Sequence, residues 1–203
     1  MTITKPTYDV DWLRSRFAGA RARVAPTFYA DDEPLPDTQA QRLASVLIPV
    51  IAREEPTVLF TVRSSRLRSG AGQISFPGGG VEADDASPEH TALRETFEEI
   101  GLHARHVEVI GQLSAYVTRA GYRVTPVVGV VQPPFELQPN ADEVAEIFEV
   151  PLWYLLNKNN HLLHTTQLDG RLRHYYAVQY ERYYIRGVTA GLLVNLHRHV
   201  TAP

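Results

Sequence analysis

Ala92-Leu93-Arg94-Glu95-Thr96-Phe97-Glu98-Glu99-Ile100-Gly101-Leu102 reads as the later part of a helix that ends at a glycine. The start lies just upstream. Ser87 is a suitable N-cap, Pro88 fits the first helical position, and Glu89 puts an acid in the first turn. Gly101 is the matching stop, which leaves about three and a half turns between the caps. Helical spacing places Glu95, Glu98 and Glu99 on one face, at i, i+3 and i+4. Leu93, Phe97 and Ile100 fall on the other side, where they can pack on a sheet. Neighbouring like charges on a helix repel by about a few tenths of a kcal/mol per pair. A chain that accepts this can be holding a hard cation, since carboxylate oxygens are what Mg²⁺ or Mn²⁺ prefers. The alternative is a solvated acidic surface. The loop Phe76-Pro77-Gly78-Gly79-Gly80, a short distance before the helix, favours the cation. Its backbone can bring a carbonyl and phosphate oxygens to the same ion. Arg94 stands four residues before Glu98 and can brace it.

Strand patterns flank this helix on both sides. Ser45 to Ile51 and Val58 to Val62 are short, apolar, β-branched runs separated by a turn at Arg53 to Pro56, so the pair predicts a hairpin. Arg63 to Ser75 is polar and rich in Arg, Ser and Gly, and reads as a loop. After the helix, Val107 to Leu113, Tyr116 to Thr118 and Val124 to Val131 suit strands, with Gly121 as a turn. Asp142 to Phe148 fits a short strand or turn, Pro151 to Leu156 a helix, and Tyr175 to Ile185 one strand. Thr189 to His199 is apolar at helical spacing and closes the chain as a helix. Near the start, Asp11 to Arg23 predicts a helix and Ala25 to Pro36 an irregular connection. The expected architecture is mixed α/β, with helices on two faces of one sheet. Residues 1–40 are expected to form an N-terminal extension packing on a domain of residues 41–203.

Composition narrows the classes. The chain has 203 residues, 44% of them apolar and 21% charged, which suits one globular domain with a real core. A net charge of −3 makes no broad electrostatic case for nucleic acid or anionic membrane. The absence of cysteine excludes disulfides, thiolate metal sites, Fe–S clusters and cysteine nucleophiles. Lys5 and Lys158 are the only lysines, so nearly all the positive charge is planar, forked guanidinium. Met1 to Val10 lacks the pattern of a signal peptide, Leu43 to Ala52 is too short to span a bilayer, and the last residues carry no targeting or lipidation signal. A cytoplasmic location is therefore the expectation.

The carboxylate helix and its loop resemble the Nudix box, whose pattern is G-x5-E-x7-R-E-U-x-E-E-x-G-U, with U apolar. Arg94 to Leu102 supplies the second half in order, with Thr96 at an apolar position. Ala86 occupies the place of the first glutamate. If Asp85 takes that role, Gly79 keeps the usual five intervening residues and the helix side carries one extra residue. That extra residue is similar to one branch, the coenzyme A pyrophosphatases. Their upstream signature resembles Leu59-Phe60-Thr61-Val62-Arg63-Ser64, then Arg66-Leu67-Arg68, then Gly72-Gln73-Ile74-Ser75-Phe76-Pro77-Gly78-Gly79. Gly121 to Gly129, Asp142 to Leu152 and Ile185 to Ala190 also look like that branch, with Ser69-Gly70 in place of a usual His and Arg186 in place of an expected Trp.

The resemblance implies a Nudix-type α/β/α sandwich with a mixed central β-sheet. It also implies metal-dependent hydrolysis of coenzyme A, or of its derivatives, to adenosine 3′,5′-bisphosphate and 4′-phosphopantetheine. Another nucleoside diphosphate, such as ADP-ribose or NADH, is the second reading, and a non-catalytic nucleotide-sensing module the third. The expected partner is a small-molecule substrate; whether the protein is a homodimer stays open. Glu95, Glu99 and Glu98, with the Gly78 carbonyl, are the implied ligands of Mg²⁺ or Mn²⁺. Gly79 and Asp85 shape the loop, and Arg94 pairs with a glutamate. Glu143 is the first candidate for general base and Glu146 the second. Arg63, Arg66 and Arg68 are candidates for phosphate contact, and Gln73 for phosphate or loop. The tyrosines 175, 176, 180, 183 and 184 read as core and sheet surface rather than an adenine shelf. His161 and His164 read as loop, and His197 and His199 as tail.

Overall fold

Arg42–Ile51 (β1) carries apolar side chains on both faces, and Leu47, Ile48, Val50 and Ile51 have no exposed surface. A strand buried on both faces belongs in the middle of a sheet. The computed structural model describes residues 8–18, 42–118, 120–168 and 171–202. In chain order it places Val10–Phe17 (α1), β1, Thr57–Arg63 (β2), Ile74–Ser75 (β3), Gly78–Gly80 (β4), Pro88–Ile100 (α2), Val107–Gln112 (β5), Tyr116–Val117 (β6) and Tyr122–Val131 (β7). Val144–Pro151 (β8), Leu152–Leu155 (α3), Leu162–Leu168 (β9), Arg171–Tyr180 (β10), Tyr183–Arg186 (β11) and Val188–Thr201 (α4) follow.

The larger sheet runs β3-β2-β1-β7-β5, with β8 on β2, β4 on β1 and β6 on β7. The sheet is mixed: β1 runs parallel to β7 from Arg42↔Tyr122 to Ile51↔Val131, and the other pairings are antiparallel. The expected β1–β2 hairpin forms only at its turn, at Val50↔Val58 and Ile51↔Thr57. Further along, β2 diverges from β1: β3 pairs with its Thr61 and Val62, the glycines of β4 take its place beside Ala44 to Val46, and β8 lies along the other edge of β2 from Thr57 to Arg63. Alternation sorts the core. Leu47, Ile51, Leu59 and Val127 face Ala92 and Ile100 of α2. Ile48, Val50, Phe60 and Val128 face Leu192, Leu193 and Leu196 of α4. Helices therefore cover both faces of a mixed sheet, the Nudix-type sandwich.

A second sheet, β11-β10-β9, packs on the α4 side. The single strand expected over Tyr175 to Ile185 is two, because Glu181 takes a positive φ of 50° and turns the chain between β10 and β11. His164 lies in β9 rather than in a loop. His197 and His199 are not a tail either. Both sit in α4, where the His197 Nδ1 is 2.8 Å from the Leu156 carbonyl oxygen and the buried His199 stacks on Phe17. Helix α1 packs Leu13 into the same core, and Arg14 reaches Glu108 of β5. Residues 19–41, which include the rest of the expected first helix and the Ala25 to Pro36 connection, lie outside the described residues. Among the described residues no helix is long and apolar enough to cross a membrane.

Candidate active site

Helix α2 begins as its sequence directs. The Ser87 hydroxyl accepts from the His90 amide, Pro88 is the first residue, and Gly101 closes the helix at φ 72°. Its inward face includes the expected Leu93 and Ile100 but not Phe97. Ala92, Thr96, Glu99 and Ile100 are buried, whereas Phe97 is 47% exposed and lies against His103. The buried line follows i, i+4, i+7 and i+8, and Thr96 joins it because its hydroxyl donates to the Ala92 carbonyl at 2.6 Å. Glu99 is thereby turned under the glycine loop, with a side chain only 5% exposed.

The loop fits the helix through absent side chains. A Cβ on Gly79 would stand 2.4 Å from the Glu95 carboxyl carbon. A Cβ on Gly78 would stand 2.4 Å from the Ser45 carbonyl oxygen, and Gly78 adopts φ 151°, open to glycine. The Gly78 amide donates to Glu99 Oε2 at 3.3 Å, and the Arg63 guanidinium lies 4.0 Å from Glu99 Oε1. Burial nevertheless dominates and pushes the Glu99 carboxyl up to about 7; Gly78 and Arg63 oppose it, and the charges of Glu143 and Glu95 add to it. Burial also raises Glu95, against the pull of Arg94. Two incompletely compensated carboxylates therefore meet beneath a backbone loop. That donor set of hard oxygens fits a divalent cation.

Arg94 ties the loop to the helix. It donates to both Asp85 carboxylate oxygens at 3.0 and 2.9 Å, to Glu95 at 3.1 Å, to Glu98 at 3.0 Å and to the Gly80 carbonyl at 3.0 Å. Asp85 also accepts from the Glu82 amide and the Thr91 hydroxyl, each at 2.9 Å. Glu98, half-exposed, is drawn to Arg94 rather than to Glu99. Among the described residues no three carboxylate or imidazole side chains already converge on one point. Arg94 holds the Asp85 carboxyl well below the ordinary carboxylate range. A carboxyl lowered in the fold contributes stability above its ordinary value of 3.8 and loses it as the pH falls further. Asp85→Ala is expected to lower the melting temperature at pH 7 more than Asp142→Ala does. Asp142 only pairs with Arg66 at the surface. The gap between the variants should narrow in acid, and thermal melts at pH 7 and 3 check both points.

A family model described as the NUDIX domain matches residues 41–175. The chain belongs to the Nudix hydrolase family. It is 41% identical over 160 residues to the uncharacterized Nudix hydrolase NudL of Citrobacter koseri, covering 79% of this chain and 83% of that protein. It is 41% identical over 159 residues to the NudL of Photorhabdus laumondii, covering 78% and 85%. A solved MutT/nudix family protein from Enterococcus faecalis is similar at 18% identity and a TM-score of 0.48, over 81% of this chain and 63% of that one. Nudix hydrolases use divalent cations, which agrees with the buried oxygen donors of this Nudix helix.

Around the Nudix helix, the other expected residues divide. Glu143 is brought in: its charge acts on Glu95 and Glu99, and the Asn140 side-chain amide donates to its Oε1 at 3.0 Å. The loop that carries it is laced to the end of the Nudix helix, Gln138 N to Ile100 O at 2.8 Å and Asn140 N to Glu99 O at 2.9 Å. No local pattern in Gln138 to Asn140 signals that docking; only the αL glycine at 101, whose Cβ would stand 3.0 Å from the Gln138 amide, hints at close approach. Glu146 is not brought in. It lies against the second sheet, paired with Arg182 and accepting from the Tyr183 hydroxyl at 2.5 Å. Arg63 stands beside Glu99, whereas Arg66 pairs with Asp142 at 2.6 Å and Arg68 is exposed. Gln73 is exposed on the edge of a cavity described below.

Proposed function

We propose that this Nudix domain hydrolyses the pyrophosphate bond of coenzyme A, releasing adenosine 3′,5′-bisphosphate and 4′-phosphopantetheine. The observation that carries this reading is the placement of the Leu59 to Gly79 segment. Its first strand and its closing glycines flank the buried carboxylates, and its Arg63 stands 4.0 Å from Glu99. Arg63, Gly78 and Gly79, three of the residues that resemble the coenzyme A signature, thus border the buried carboxylates.

Glu95, Glu99 and the Gly78 carbonyl would hold Mg²⁺ or Mn²⁺. When bound, a cation there would supply charge neutralisation for pyrophosphate oxygens and acidity for a water. Arg94 keeps Glu95 and Glu98 in place through its hold on Asp85 and Gly80. Arg63 offers a guanidinium to an incoming phosphate. Glu143, whose Oε1 accepts from the Asn140 side-chain amide, would take the proton from the attacking water. Glu146, held by Arg182 and Tyr183, serves the sheet contact instead.

Coenzyme A, coenzyme A disulfide, ADP-ribose and NADH, each incubated with Mg²⁺ or Mn²⁺ and resolved by chromatography, test the assignment. Coenzyme A should be cleaved fastest. Faster cleavage of ADP-ribose or NADH would move the assignment to another nucleoside diphosphate, and binding without hydrolysis would make this a sensing module. Glu143→Gln should lower turnover about a hundredfold, a typical loss for a general base, with an unchanged circular dichroism spectrum. Turnover near that of the wild type would remove Glu143 from the mechanism.

A further inference from the structure

A cavity of about 650 Å³ opens on the α4 side of the large sheet, between β3, the hairpin of the second sheet and the start of α4. Its floor is apolar, with Val46, Phe76 and Leu192. Its rim carries Tyr175, Tyr184 and Arg186. Two of these residues connect it to the carboxylate site. Val46 is the cross-strand partner of Gly78, and Phe76 lies two residues before that glycine. One wall therefore separates the cavity from the loop that covers Glu99.

Its lining suits one kind of ligand. Among the described lining residues Arg186 is the single charged side chain, and no carboxylate accompanies it. Tyr184 is 39% exposed and stands two residues before Arg186 on β11, so the two share a face of the strand. His164 stacks on Tyr175, with ring centroids 5.3 Å apart, and stiffens that ring. The first residues of α4, whose N-cap Gly187 offers no side-chain cap, border the same space. An apolar floor, an available aromatic face and an isolated guanidinium fit a ligand with a flat ring and an anionic group. A neutral, ringless pantetheine arm would use neither Arg186 nor Tyr184.

We propose that this cavity seats the adenosine 3′-phosphate half of the substrate, with Arg186 on the 3′-phosphate and Tyr184 against the adenine. The proposal rests on the coenzyme A reading above and assigns the orientation of the substrate across the site. It also gives a role to Arg186, where the resemblance to the coenzyme A branch expects Trp, and takes Tyr175 and Tyr184 out of the purely structural set.

Calorimetric titration of the full chain in Mg²⁺ with adenosine 3′,5′-bisphosphate, AMP and 4′-phosphopantetheine is the test. The wild type should bind the bisphosphate about tenfold or more tightly than AMP, the scale of a charged hydrogen-bonded contact. Arg186→Gln should erase that preference and leave AMP affinity within about twofold, the expectation for loss of one phosphate contact. Tyr184→Ala should weaken both nucleotides alike. In kinetics, the preference for coenzyme A over dephospho-coenzyme A should fall in Arg186→Gln through KM, with kcat unchanged. An undiminished 3′-phosphate preference in Arg186→Gln, no preference in the wild type, or a loss confined to phosphopantetheine would overturn the proposal. Failure of the functional reading is separately visible. Wild-type protein that leaves coenzyme A intact, yet shows the Arg186-dependent preference, loses the activity assignment and keeps the cavity assignment.

Discussion

Glu99→Gln is expected to lower turnover about a thousandfold while leaving the protein folded and, without divalent cations, more stable than the wild type at alkaline pH. The kinetic loss follows from removing the charge of the proposed metal ligand, for which a deficit of about 4 kcal/mol in transition-state stabilisation corresponds to three decades in rate. The stability gain follows from burial. The Glu99 carboxyl is pushed from 4.5 up to about 7, so the fold prefers its neutral form. A carboxyl raised in the fold contributes stability that is fully present below its unfolded value and is lost as the pH rises through the folded one. In EDTA the wild type should therefore lose about 3 kcal/mol between pH 4.5 and pH 8, relative to the glutamine variant. Mg²⁺ should restore stability to the wild type and not to the variant. Thermal melts at pH 5 and 8, with and without Mg²⁺, measure this. A wild type as stable as the variant in EDTA at pH 8 would show that Glu99 is not the strained, cation-seeking group described here.

Gly78→Ala is expected to be the most damaging single-methyl change in the loop. The new Cβ would meet the Ser45 carbonyl oxygen at 2.4 Å and the Val46 Cα at 2.5 Å, and both belong to the buried central strand. Neither can swing aside as a flexible side chain would. The φ of 151° adds backbone strain for a residue with a Cβ. A cost of about 3 kcal/mol is the scale of overpacking against a fixed wall, or about 10 °C in melting temperature for a domain of this size. Activity should fall with it, because the Gly78 amide that holds Glu99 must move. Gly80→Ala is the control: a Cβ there meets nothing within 4 Å, so its melting temperature should match the wild type. Equal losses in both variants would show that the loop tolerates no side chain at all and would remove the specific Gly78–Ser45 contact as the cause.

Much of the site could be read locally because its signals are local. Ser87, Pro88 and Gly101 mark the ends of α2 through caps that depend on neighbours within one turn. Spacing alone puts Glu95, Glu98 and Glu99 on adjacent turns. It could not rank them, because rank depends on what lies opposite. Glu99 is buried beneath Gly78, Glu98 is drawn outward by Arg94, and Phe97 is left on the surface. The same limit separates Glu143 from Glu146. Both are acids of one segment, but the lacing of Gln138 and Asn140 to α2 brings the first near enough for its charge to act on Glu99, and Arg182 and Tyr183 take the second.

The β1–β2 hairpin shows the limit for strands. A turn between two apolar runs is a local signal, and the turn pairs as expected. Which strand then continues beside β1 is settled at long range by the parallel partner β7 and the glycines of β4. Tyr175, Tyr184 and Arg186 show it for binding surfaces, since only the packing of the second sheet against β3 and α4 turns them toward one cavity. By itself, the sequence determined the helix, its caps, the acidic spacing and the glycine loop, all set by interactions within a few residues. The tertiary structure alone decided which glutamate is buried, which acid's charge reaches it and which side chains share the cavity. Burial and electrostatic coupling depend on distances in space, and residues far apart in the chain supply them.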